Sequence, residues 1–445
     1  MEREVEQNLL AWKNQKRRSP LMLRGARQVG KTFAVDHFAA VHFDHYIKVN
    51  FEKQTELIPF FDQLEPAKIV EKLEVAFETP IINGKTLLFL DEIQDCPQAI
   101  LALRYFKEEM SDLHVIAAGS LLEFALKQHS FRMPVGRVQF LYMKPLSFRE
   151  YLHAIGKTRL QKELETITPD KPLDETFHQI AMDHVREYLA IGGMPEVVSH
   201  YVETKSALQT QEIQTTILET YRRDFPKYAT EKQIKWIETV FLRSPGLVGQ
   251  WLKYTKIDPE AQARELKTAL GLLGDAGILH QVFATKGNGI PLAASINPKK
   301  FKLLFLDTGL LKRSLGLSLD LLLREDLMLI NQGALAEQFV GQELLAYCYP
   351  YEFPRIFFWV REHSTSGAEV DYLYQMDSQI IPIEVKAGAI GRLRSLKGFI
   401  EEKGSPLGVR IWQGPLEYHQ KVLSVPFYLV SELPHLINVC LNRRE

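Results

Sequence analysis

Eight residues near the N-terminus, Gly25-Ala26-Arg27-Gln28-Val29-Gly30-Lys31-Thr32, have the types and spacing to hold a chain of phosphates. They fit G-x-x-x-x-G-K-[ST]. In that pattern backbone N–H groups cradle the phosphates, the lysine reaches the β- and γ-phosphates, and the hydroxyl binds Mg²⁺. The chemistry expected of Gly25 to Thr32 is therefore the binding of ATP with Mg²⁺. Asp91-Glu92 closes an apolar run, Thr86-Leu87-Leu88-Phe89-Leu90. Asp91 at such a strand tip can hold the metal with Thr32, and Glu92 beside it can polarise an attacking water. A second set lies far downstream: Glu337, Asp371, Glu384 and Lys386. Two carboxylates can hold a divalent metal that polarises a scissile phosphate and activates water. A lysine can position or deprotonate that water, or stabilise developing charge.

These residues need elements to carry them. Leu21-Met22-Leu23 reads as a buried strand before the glycine-bounded loop, and Phe33 to Ala40 reads as the helix after it. That order makes a helix N-terminus available to the phosphates. Further strands are expected at Tyr46 to Phe51, at Thr86 to Leu90, at His114 to Ala118 just before Gly119-Ser120, and at Val138 to Met143. Helical stretches such as Ala99 to Met110 fall between them. Alternating β and α segments predict an α/β fold, a mostly parallel sheet with helices on both faces.

The middle of the chain is helical from Phe148 to about Tyr228, with a break at Gly192-Gly193 and Pro195. Residues 231–300 read as three helices and then a hairpin. Its strands are expected at Ile278 to Phe283 and Pro291 to Ala294, around Lys286 to Gly289. That order suggests a winged helix, although Arg264 and Lys267 are a thin cationic set for contacts to DNA phosphates. Near the C-terminus, Gly333 to Val340 reads as a helix carrying Glu337. Ala368 to Tyr374 and Ile381 to Lys386 read as strands joined by a turn at Met376 to Gln379. A period of two places Glu384 and Lys386 on one face.

The strand ending in Asp91-Glu92 resembles the Walker B strand of the AAA+ and related additional-strand ATPases. The resemblance puts Ser120 in the place of their sensor-1 residue. It makes Arg137, in Gly136-Arg137-Val138, the first candidate for a γ-phosphate contact and Arg132 the second. The runs Lys144 to Leu152, Ile191 to Glu196 and Lys302 to Leu311 are similar to those of bacterial and archaeal AAA-family ATP-binding proteins with a C-terminal domain of unknown function. Asp371, Glu384 and Lys386 resemble the D-x(n)-[DE]-x-K signature of the restriction-endonuclease-like fold, and Glu337 matches its helical glutamate. The expected plan is thus an ATPase domain (1–155), a helical lid or linker (156–230), a winged-helix-like domain (231–300) and a restriction-endonuclease-like domain (301–445).

Bulk composition constrains the rest. A chain of 445 residues, 46% hydrophobic, is too long for one core. A net charge of −1 neither demands nor excludes nucleic acid, so any basic footprint must be local. Cys96, Cys348 and Cys440 are far apart and in no metal-ligand spacing, which predicts reduced thiols. The charged start, Met1 to Gln7, leads into no apolar core, and no stretch approaches the roughly 20 apolar residues of a membrane span. A cytoplasmic location without a membrane partner is expected. The leading expectation is ATP binding and Mg²⁺-dependent hydrolysis coupled to the C-terminal domains. The alternatives are an ATP-gated nuclease with a second divalent metal and DNA as partner, and a slow nucleotide-dependent switch or scaffold. The scaffold would bind a protein partner or a second copy of itself.

Overall fold

Strand β1 (Leu21–Arg24) is apolar on both faces, and it lies in the middle of a sheet where both faces are covered. The computed structural model describes residues 3–127, 136–317, 333–361, 368–386 and 393–442. Arg132 lies outside them. The chain divides into two compact units. The first comprises the residues up to Lys144 together with Asp275–Gly277 and Tyr349–Pro354.

In the first unit β1 is joined by β2 (His45–Asn50), β3 (Thr86–Asp91), β4 (His114–Ala118) and β5 (Gln139–Tyr142) in the order β2-β3-β4-β1-β5. Every pairing is parallel. The strand β4 therefore stands between the strand that precedes the phosphate loop and the strand that ends in Asp91. Helix α1 (Val5–Lys13) precedes β1, and α2 (Lys31–His42), α3 (Pro66–Phe77), α4 (Pro97–Glu109) and α5 (Leu122–Lys127) lie in the connections between strands. Val49, Leu88, Leu90, Ile100, Leu103, Phe106 and Val115 are buried together with Phe51 and Phe61. Burying so much apolar side chain is what fixes the strand ends and the loops on them.

The second unit begins at Pro145. It opens with helices α6 (Phe148–Ala154), α7 (Thr158–Leu164), α8 (Glu175–Ile191), α9 (Pro195–Thr204), α10 (Ala207–Tyr228), α11 (Glu231–Arg243), α12 (Tyr254–Ile257) and α13 (Ala263–Asp275). The start of α6 is written locally: Ser147 and Glu150 form a reciprocal capping box. Strands β6 (Leu279–Thr285) and β7 (Ile296–Phe305) follow, then α14 (Thr308–Ser314) and α15 (Ala334–Ala346). After them come β8 (Phe357–Val360), β9 (Glu369–Met376), β10 (Gln379–Val385), α16 (Arg394–Lys403), β11 (Gly408–Trp412), β12 (Glu417–His419), β13 (Val422–Pro426) and α17 (Leu433–Leu441). The eight strands form one mixed sheet in the order β12-β13-β11-β10-β9-β8-β6-β7.

Two expectations change here. The hairpin expected within 278–294 has its second strand at Ile296–Phe305 instead. Pro291 has no N–H for a ladder, Leu292–Ser295 forms a short 3-10 turn, and Thr285 Oγ1 donates to Leu292 O at 2.9 Å. This hairpin is no separate wing, because β6 also pairs with β8 and extends the C-terminal sheet. A boundary at 300/301 would cut β7, so the winged-helix-like and C-terminal segments share one sheet rather than forming two domains. The expected order of a Glu337 helix followed by the β9–β10 hairpin is present, with Asp377 at positive φ in its turn.

Candidate functional site

The loop from Gly25 to Thr32 leaves the C-terminal end of β1, and α2 begins at Lys31. Gly25 and Gly30 have φ of 147° and 90°, and a Cβ at Gly25 would collide with the Met143 carbonyl. Both positions thus require glycine. Gln28 is also left-handed, at φ 64°. Lys31 Nζ donates to Gly25 O at 2.9 Å and to Ala26 O at 2.8 Å, so the amine lies across its own loop. Burial pulls this amine down to about 8, against the opposing pull of Glu92 and Asp91. Beneath the loop, Arg3 Nη1 donates to Val29 O at 2.9 Å and Nη2 donates to Lys144 O at 2.9 Å.

Asp91 ends β3 at the same edge of the sheet. Thr32 Oγ1 lies 3.2 Å from each of its carboxylate oxygens. On the other side, Asn50 Nδ2 donates to Asp91 Oδ2 at 3.2 Å. That contact follows from register, since Asn50 on β2 pairs with Asp91. Lys48, two residues earlier on the same strand face, has its ammonium 4.0 Å from Asp91 Oδ2. Burial and Glu92 push the Asp91 carboxyl up, while Lys48, Thr32 and Asn50 oppose them.

Glu92 is the next residue and is left-handed, at φ 50°. A non-glycine residue held there stores backbone strain of the kind found at functional sites. Its Oε2 accepts from Gln94 Nε2 at 2.8 Å and from both the N–H and the hydroxyl of Ser120 at 3.3 Å. Ser120 follows β4, so it arrives beside β3 through the parallel β3–β4 pairing. The structure therefore brings together Gly25 to Thr32, Asp91, Glu92 and Ser120. Arg3 and Asn50, whose roles depend on pairings distant in the chain, and Gln94, only two residues from Glu92, carry no motif that marks them in the sequence.

Arg137 is elsewhere. It precedes β5, whose first residue pairs with the first residue of β1, whereas the phosphate loop follows the last. About 10 Å of strand separates these ends. Arg137 Nε donates to Glu108 at 2.9 Å, and Arg104 Nε reaches the same carboxylate at 3.1 Å. Within one chain Arg137 is not part of the phosphate site.

The second expected set is partly assembled, around a residue that the sequence reading did not select. Lys302 of β7 is 2% exposed. Its Nζ lies 2.7 Å from Glu337 Oε1 and 3.3 Å from Asp371 Oδ1, and it also pairs with Glu369. Asp371 Oδ2 accepts the Val385 N–H at 2.8 Å. Glu384 pairs with Lys386, and its second oxygen is buried without a hydrogen bond. Burial alone would lower the Lys302 amine, but Glu337, Asp371 and Glu369 outweigh it and raise it. Burial raises Glu337 and Glu384, with Asp371 adding in each case. Among the described residues no group of three or more His, Cys, Asp or Glu is arranged to hold a metal ion.

The remaining quoted runs have a packing role. Asp307 Oδ2 accepts the Gly193 N–H at 2.6 Å, and Asp307 Oδ1 accepts the Leu310 N–H at 3.0 Å. A Cβ at Gly193 would collide with the Leu146 carbonyl, and one at Gly309 with the Ile191 carbonyl. The two motifs are thus one interlocked junction of α6, α8 and α14.

A family model described as an AAA domain matches residues 17–152, the part that holds the parallel sheet and its loops. Two further models match residues 182–321 and 332–428, and both are described only as domains of unknown function, DUF8612 and DUF4143. No curated protein matches the chain. Among solved structures, the chain is similar to the Walker-type ATPase PABY2304 of Pyrococcus abyssi, at 16% identity and a TM-score of 0.44. That likeness covers 70% of this chain and 95% of the other. The Aeropyrum pernix ORC2 protein, in ADPNP–ADP complexes, is 13% identical with a TM-score of 0.33, covering 72% and 90%. The Aeropyrum pernix ORC1 protein in complex with DNA is 12% identical with a TM-score of 0.29, covering 70% and 90%. Likeness at these values bears on neither substrate nor partner. The match to an AAA-domain model is confined to residues 17–152, which hold the parallel five-stranded sheet. No helix among the described residues is long and apolar enough to cross a membrane.

Proposed function

We propose that this chain binds ATP and hydrolyses it with Mg²⁺ at Gly25 to Thr32, Asp91, Glu92 and Ser120. The observation that carries the reading is the Thr32–Asp91 pair, a hydroxyl 3.2 Å from both oxygens of a buried carboxylate beside the phosphate loop. Hard oxygen donors of this kind suit Mg²⁺, which keeps waters and takes few protein ligands. Thr32 and Asp91 would hold it, and when bound it neutralises charge across the β- and γ-phosphates. The chain's own residues do the rest. Lys31 exchanges its two loop carbonyls for phosphate oxygens. Glu92 orients the attacking water and accepts its proton, and Ser120 and Gln94 fix the Glu92 carboxylate. Burial, with Glu92, makes Asp91 a weaker acid than usual until a cation arrives.

Coupling to the second unit is part of the proposal. Gly277, at φ 73°, packs against Ala26 of the phosphate loop, and the chain enters β6 two residues later. A change in the loop on γ-phosphate binding would then reach the chain just before β6.

The test is nucleotide binding and phosphate release by the purified chain, Lys31→Ala and Glu92→Gln. Wild type should bind and turn over, Lys31→Ala should lose binding, and Glu92→Gln should bind without turnover. Equal and undetectable nucleotide binding by wild type and Lys31→Ala would sink the reading. Hydrogen exchange across 275–285 should differ between ADP and a non-hydrolysable ATP analogue; identical exchange would remove the coupling.

A further inference from the structure

We propose that the Lys302 ammonium is the resident cation of the C-terminal carboxylate cluster, filling the seat that a divalent metal would otherwise take between Glu337, Glu369 and Asp371. The acids converge for reasons of register. Glu369 and Asp371 are two apart on β9 and share a face. Glu384 of β10 lies on the neighbouring strand just past the Ile383–Tyr372 pair. Glu337 comes from α15, whose carbonyl at this residue accepts the Tyr372 hydroxyl at 2.8 Å. An isolated group of acids in such a place would repel and would need a cation.

The chain supplies that cation from β7. The Lys302 stem crosses the sheet under Phe358, with Nζ 5.3 Å from the ring centroid, and ends among the three carboxylates. One oxygen each of Glu337, Glu369 and Asp371 is turned to the ammonium, and the other Asp371 oxygen is taken by the Val385 N–H. One oxygen of each of these three acids is therefore already directed at nitrogen. At 2% exposure the lysine has no route to swing into water while the fold stays closed. A divalent ion entering beside it would meet a like charge at contact distance. The cluster then works as a metal-independent lock joining β7, α15 and β9. Burial first, with Asp371 adding, raises Glu337 and Glu384 above ordinary carboxylates, which agrees with protons rather than a metal taking up the remaining charge.

The experiment titrates Mn²⁺ into the nucleotide-free, full-length chain and follows free Mn²⁺ by electron paramagnetic resonance. Any Mn²⁺ held at Asp91 is common to all variants and cancels in the comparison. Wild type and Asp371→Asn should bind the same amount of Mn²⁺. Lys302→Met should gain one site per chain, at least tenfold tighter than any difference between those two, and Lys302→Met with Asp371→Asn should lose it again. Mn²⁺ should also raise the unfolding temperature of Lys302→Met and leave that of Lys302→Arg unchanged. Wild-type binding that disappears in Asp371→Asn overturns the proposal, because the metal then displaces the lysine. A folded Lys302→Met chain that gains no site overturns it too. So does a Lys302→Met chain that stays insoluble both with and without Mn²⁺ in the refolding buffer, since a metal should then take the lysine's place.

Discussion

Ser120 holds a single oxygen of Glu92 twice, through its backbone N–H and its hydroxyl, each at 3.3 Å. Gln94 donates to that same oxygen at 2.8 Å. The carboxylate that would orient water thus has one oxygen fixed by three donors. Glu92→Gln should lower kcat by about 10²–10⁴-fold, the range of a general base, with ATP affinity kept. Ser120→Ala should give a smaller loss of the same kind, because the backbone N–H and Gln94 remain. Phosphate release read beside equilibrium nucleotide binding separates the two effects.

Nucleotide affinity should depend on pH through Lys31. Its amine is near 8 in the free chain, so it is charged below that pH and increasingly neutral above it. Phosphate oxygens favour the charged form, so binding takes up a proton at alkaline pH. Affinity should be flat to about pH 7.5 and then fall by up to about tenfold per pH unit. Stability without nucleotide should move the other way. Between about 8 and the ordinary 10.5 the unfolded chain holds the proton more tightly, so this residue's contribution rises with pH. Lys31→Met should lose nucleotide binding and flatten the stability profile.

Arg137→Ala should leave nucleotide affinity of the isolated chain unchanged within about twofold, or about 0.4 kcal/mol. Its guanidinium is held by Glu108 at the opposite strand ends from the loop. Calorimetric titration with a non-hydrolysable analogue at low protein concentration is the measurement.

The junction of the two glycine motifs should behave as a stability element without a catalytic part. Gly193→Ala has no room beside the Leu146 carbonyl and should cost about 1–3 kcal/mol or more. Asp307→Asn should cost about 2–3 kcal/mol through its backbone donors. Burial lifts the Asp307 carboxyl to about 6, with the Gly193, Leu310 and Gly309 amides opposing. The folded chain therefore keeps that proton longer than the unfolded one. Its stabilising effect is full below the ordinary 3.8 and lost as pH rises through about 6. Denaturant unfolding from pH 4 to 7 should show the slope in wild type and not in Asp307→Asn.

What could be read from sequence was what short-range spacing dictates. The loop from Gly25 to Thr32 and the strand ending at Asp91 are complete in a few consecutive residues, and the structure places both at one sheet edge. Asn50 and Arg3 are illegible because register and chain return bring them in, and Gln94 because its contact depends on the left-handed Glu92 and the short turn after it. Lys302 carried a usable sign. It stands in a strand whose neighbours Phe301, Leu303, Leu304 and Phe305 are all buried, and a charge in such company needs a partner. The hairpin before it was misplaced because the apolar residues around Pro291 resemble a strand, while Leu292 is buried from a turn.

The first unit is not a continuous stretch of chain. Tyr142 N–H on the edge strand β5 finds its acceptor, Pro350 O, at 2.8 Å, and Tyr351 donates to Asn8 O at 3.2 Å. Gly277 completes the wall behind Ala26. During synthesis, the strands that bear the phosphate loop emerge first, yet their last backbone partner emerges more than two hundred residues later. A fragment cut at the end of β5 would keep every residue of the site and still present a bare strand edge. The unit whose strands are translated first is thus complete only once the chain has been made as far as Pro354.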